Sequence, residues 1–134
     1  MKIIYSILLL AVIVVLSGSM GCKDTVTGED IDNRKIPESN VSFAQDVYPI
    51  LNVKCASSNC HNQETRAGGY AFTSWTSVYS PELLVPGDPD NSRLVWTIEA
   101  RPGVAAMPPV GYAYLTANQI KGIRTWITEG AKNN

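Results

Sequence analysis

The sequence predicts an all-α domain built from a few short helices and long loops. Three observations predict it. Three stretches place apolar residues at helical spacing, with capping residues at their ends. The chain carries 8 prolines and 10 glycines, which interrupt regular structure. No stretch gives a convincing strand alternation.

The N-terminus comes first. Met1-Lys2 and the apolar run IIYSILLLAVIVVL, residues 3–16, read as a secretory signal over residues 1–21. A retained membrane anchor is the weaker reading, because the run is short for a bilayer span and Ser6 interrupts it. SGSMGC, residues 17–22, resembles the lipobox of bacterial lipoproteins, in which the cysteine receives lipid. Ser19 departs from the large aliphatic residue preferred there, and Ser19 with Gly21 would also suit ordinary signal peptidase. Cysteine parity favours lipidation, since Cys22 is left over if Cys55 and Cys60 act together. The expectation is an exported lipoprotein, held on a membrane through Cys22 and facing the periplasm or the cell surface.

Residues 22–40 follow as the lipidated cysteine and a polar tether without apolar periodicity. Residues 41–134 form one domain. Its first helix is expected in residues 41–55, with Phe43, Val47, Ile50 and Leu51 on one face, Ser42 as cap and either a kink or the end of its first part at Pro49. A second is expected in residues 86–100, capped by Asp88 with Pro89 at its first position. The clearest lies in residues 115–131, where Thr116 and Gln119 make a capping box and Gly130 ends the helix. Its isoleucines and Trp126 are expected to pack on Phe43 and Val47. Residues 68–80 read as loop with at most a short helical turn. The formal net charge of −1 argues against a nucleic-acid partner, which normally demands a basic face.

CASSNCH, residues 55–61, holds two of the three cysteines and the one histidine. Four chemistries compete for it. A Cys55–Cys60 disulfide suits an exported protein but has no use for His61. A zinc site lacks ligands, with Cys22 the one other thiol. A thiol nucleophile with a histidine base is poor, because sequence neighbours rarely present both side chains to one substrate. Covalent haem uses all three: two thiols add to the vinyl groups and the adjacent histidine takes the iron. Four residues separate the thiols here instead of the two of the familiar C-x-x-C-H form, but the Cys60-His61 adjacency is kept.

VSFAQDVYPILNVKCASSNCH resembles the start of a family of bacterial c-type cytochrome domains with a C-x4-C-H haem site, the planctomycete-type cytochrome c. VPGDPDNSRL at 85–94, MPP at 107–109 and WITEGA at 126–131 follow in the family's order, with Trp96 as the main departure. The resemblance implies a class I cytochrome c fold around one haem c. It implies thioethers at Cys55 and Cys60, His61 as proximal ligand and Met107 as the second ligand. Elimination agrees on Met107: no second histidine exists, and Met1 and Met20 lie in the signal segment. Tyr70, Phe72, Trp75, Tyr112 and Tyr114 either line the haem pocket or fill loops. One of them, or Trp96, is a candidate for bonding a haem propionate. Arg93 and Arg101 are candidates too, with solvated surface as the plainer fate of each. The function implied is single-electron transfer between redox partner proteins, with no small-molecule substrate and no enzymatic reaction. The alternatives are a non-haem surface lipoprotein stapled by a Cys55–Cys60 disulfide, and a haem subunit or sensor of a larger oxidoreductase.

Overall fold

The computed structural model describes residues 26–134. The expected signal segment and Cys22 lie outside the described residues. Among the described residues the elements are helical, with no strand. None of these helices is long and apolar enough to cross a membrane.

The first helix stands where the sequence suggests a tether. The Thr27 hydroxyl accepts a hydrogen bond from the Asp30 N–H, and the Asp30 carboxylate accepts one from the Thr27 N–H. This capping box starts α1 (Gly28–Asn33). Ile31 and Ile36 are buried. The Gln119 amide donates to the Ile31 carbonyl and the Asp32 carboxylate, and Lys54 Nζ lies 2.6 Å from Asp32 Oδ1. Residues 27–36 therefore pack on the domain. Two isoleucines in a polar segment carry no period, and their partners come from far along the chain.

Ser42 caps the next segment, its hydroxyl accepting from the Gln45 N–H. A π-helical turn, Phe43–Val47, leads into α2 (Tyr48–Lys54). Pro49 falls in the first turn of α2, where its missing N–H is no loss, so the expected kink takes the form of a π-to-α change. Phe43, Val47, Ile50 and Leu51 are all buried, and the Phe43 ring lies 5.4 Å from that of Trp126.

Within the expected loop of residues 68–80, Ser74 makes a capping box for the short α3 (Trp75–Val78). Asp88 caps and Pro89 opens a 3-10 turn, Pro89–Asn91, as expected. The predicted single helix then breaks at Ser92, whose backbone is extended. The Ser92 hydroxyl is fully buried, donating to the Asp88 carbonyl and accepting from the Val85 N–H. It therefore fixes the preceding turn, and α4 (Arg93–Ile98) starts after it.

Thr116 and Gln119 cap α5 (Ala117–Thr128), and Gly130 follows it at φ +99°. Ile123, Trp126 and Ile127 are fully buried. A Cβ on Gly122 would meet Ile36 at 2.6 Å, so this glycine lets the N-terminal segment approach α5. A ring of charges joins the end of α4 to α5. Asp90 accepts from Arg101 and Arg124 at 3.0 and 2.8 Å, and Glu99 accepts from the same two at 2.8 and 3.0 Å. Hydrogen bonds from Arg124 first, then Arg101, hold the Asp90 carboxyl below its ordinary value.

Candidate functional site

Cys55 caps the end of α2, its N–H bonded to the Leu51 carbonyl. The chain then turns out and returns. The Cys60 N–H donates to Ser57 at 3.0 Å, and the His61 N–H donates to the Cys55 carbonyl at 3.0 Å. Ser57, Ser58 and Asn59 are exposed, so the extra residues between the thiols form an outward loop. Asn62 and Thr65 secure that loop by donating to the Ser58 carbonyl at 3.1 and 2.9 Å.

His61 is oriented twice. Its ring stacks on Phe72, with centroids 4.6 Å apart. Its Nδ1 lies 3.2 Å from the Tyr70 carbonyl. A carbonyl only accepts, so Nδ1 carries a proton, and in the neutral ring Nε2 keeps its lone pair. The Tyr70 carbonyl gives no sequence signal, because any residue supplies one. The Phe72 N–H donates to the His61 carbonyl at 2.8 Å, which fixes that neighbour in turn.

Cys55, Cys60, His61 and Met107 all line one cavity of about 410 Å³, a size usual for ligand sites. Phe72, Leu83, Leu94 and Ile98 give it apolar walls. The Met107 N–H is held by the Thr97 carbonyl of α4 at 2.9 Å. Cys55 is 8% exposed, and it and Cys60 are free thiols. Burial pushes the Cys55 thiol up to about 12, Cys60 adding to the rise and Lys54 opposing it. Such a thiol is protonated at neutral pH and is no nucleophile. Among the described residues, no group of three His, Cys, Asp or Glu side chains is placed to hold a metal ion. Burial thus disfavours Cys55 as the nucleophile.

The aromatic candidates divide. Tyr70, Phe72 and Tyr112 line the cavity, whereas Trp75 and Tyr114 do not. The Trp75 indole donates to the Ala131 carbonyl and the Trp96 indole to the Asp90 carbonyl. Arg101 is bound in the ring with Asp90 and Glu99, so Trp96 and Arg101 are corrected as propionate candidates. Arg93 does line the cavity, and so does Lys54, which the sequence gave no reason to select. Two thiols, an imidazole with a free Nε2, a thioether, apolar walls and two cations suit a covalently attached haem, whose vinyl groups, iron, ring and carboxylates they match in kind.

Residues 58–111 match a protein-family model described as Planctomycete cytochrome C. The stretch starts after Cys55 and includes Cys60, His61, Arg93 and Met107. The match supports a planctomycete-type cytochrome c domain, and such a domain implies covalent haem c and electron transfer. Searches of curated proteins and of solved structures found no match.

Proposed function

We propose that this cytochrome c-type chain is an exported monohaem electron carrier with the class I arrangement of short helices around its cofactor. Cys55 and Cys60 would carry the two thioethers, and His61 Nε2 and Met107 Sδ would hold the iron. What supports the reading most is that both thiols, the imidazole and the thioether line the same cavity. The bound haem supplies a one-electron iron couple.

The chain's own residues then have four tasks. The Tyr70 carbonyl holds the His61 tautomer. The Thr97 carbonyl anchors the backbone that carries Met107. Phe72, Leu94 and Ile98 keep water from the iron side, which with a sulfur ligand raises the potential. With His61 and Met107 both on the iron, no place would be left there for a substrate, and the chain would act as a carrier between redox proteins rather than as an enzyme. Lipid on Cys22 holds it on a membrane.

The test is expression with c-type haem maturation machinery, followed by denaturing electrophoresis and staining for haem peroxidase activity. A stained band is expected. No stain, with other c-type cytochromes staining in the same cells, would leave the disulfide-stapled lipoprotein as the better account. Metabolic labelling with a fatty-acid analogue should mark the wild type and not Cys22→Ser.

A further inference from the structure

Two cations line the cavity, Lys54 and Arg93, and no aspartate or glutamate does. Lys54 is already committed: its Nζ lies 2.6 Å from Asp32 Oδ1 and donates to the Tyr114 carbonyl, and its side chain is 4% exposed. Arg93 is exposed, and among the described residues it has no hydrogen-bond or ion-pair partner for its side chain. The arginines on either side of the charge ring, Arg101 and Arg124, both end on Asp90 and Glu99. The Tyr70 hydroxyl donates to Glu82.

A haem brings two carboxylates to a cavity whose walls are largely apolar. An ionised carboxylate without a donor there is costly. A guanidinium answers it with two parallel charge-assisted hydrogen bonds, which an ammonium does not match. We propose that Arg93 is the anchor of a haem propionate, so that the carboxylate edge of the cofactor lies at the start of α4. This assignment rests on the covalent-haem reading above. Arg93 acts as a positioning residue: it favours the ionised propionate and adds a positive charge beside the cofactor. The other titratable groups facing the cavity are Lys54, neutralised by Asp32; Cys55 and Cys60, used as thioethers; His61, on the iron; and the phenols Tyr70 and Tyr112.

The experiment compares the reduction potentials of holoprotein variants from about pH 5 to pH 9. The variants are wild type, Arg93→Gln, Arg93→Lys and Lys121→Gln. Lys121 pairs with Glu38 on the exposed surface and controls for the loss of one charge. Arg93→Gln is expected to lower the potential more than Lys121→Gln does. It is also expected to move the pH step that reports propionate ionisation to higher pH, with Arg93→Lys intermediate. A wild-type potential and step in Arg93→Gln overturn the assignment. Should Arg93→Gln not accumulate with haem, Arg93→Lys decides: a raised step supports the assignment and an unmoved one overturns it. Absence of covalent haem from the wild type overturns both the assignment and the reading beneath it.

Discussion

Residues 55–72 and residues 102–115 both line the cavity, but different means hold them. In the first segment the bonds are local. Cys55 accepts from His61, His61 accepts from Phe72, Cys60 accepts from Ala67, and Asn62 and Thr65 tie back to Ser58. The second segment carries no charged residue. Val110, Tyr112 and Tyr114 are 89%, 58% and 52% exposed. Its anchors come from elsewhere in the fold: the Thr97 carbonyl for Met107, and Lys54 for the Tyr114 carbonyl. A segment with few internal bonds and much exposed surface opens at lower free energy than one stitched to itself. The histidine side of the site is therefore the rigid one, and the methionine side is the one that opens first.

The largest effect should come from breaking the rigid side. Cys60→Ala leaves at most one thioether, and denatured gels should show little or no haem stain. Met107→Ala should keep the stain and change the spectrum instead. The weak red band that reports sulfur–iron bonding disappears, carbon monoxide gains access, and the potential falls by tenths of a volt, within the ~0.8 V that axial ligands command. If both variants lost the covalent haem equally, the two sides would not differ as described.

Asp32→Asn tests the support that reaches the methionine side from outside it. The substitution leaves the nearly buried Lys54 without its carboxylate. It should cost about 2 kcal/mol in urea unfolding, less than a fully buried pair because Asp32 is partly exposed. Lys54's hydrogen bond, opposed by some burial, holds the Asp32 carboxyl below its ordinary value. Its contribution is therefore complete above the ordinary carboxylate range and is lost as pH falls through the depressed value. The gap between wild type and Asp32→Asn should narrow in acid and persist at neutral pH. The smallest effect belongs to Val110→Ser, on a side chain that is 89% exposed. Stability should stay within ~0.5 kcal/mol of wild type.

Local signals in the sequence translated into structure. The Thr116–Gln119 box, the Ser42 cap, the Asp88 cap with Pro89 and the stop at Gly130 all act within a few residues, so a short window contains both partners. Signals whose partners are remote did not. Ser92 reads as an ordinary helix residue until its hydroxyl is seen bridging Val85 and Asp88. Ile31 and Ile36 look stranded in polar sequence until α5 supplies their neighbours, with Gly122 making room. CASSNCH carries a readable signal because both thiols and the imidazole fall within one short stretch. The partners that aim those groups, the Tyr70 carbonyl and Thr97, carry no such constraint on residue type. Nor could spacing separate Arg93 from Arg101, because Asp90 and Glu99 decide that by occupying Arg101.

The central claim is that Cys55 and Cys60 are joined to one haem rather than to each other or to nothing. Intact mass of the purified mature protein, taken with its pyridine haemochrome spectrum, tests it most directly. The account predicts a mass equal to the processed chain plus one haem, with the spectrum of a haem whose two vinyl groups are both saturated. A mass equal to the bare chain less two hydrogens, with no haemochrome, would contradict it and identify the Cys55–Cys60 disulfide instead.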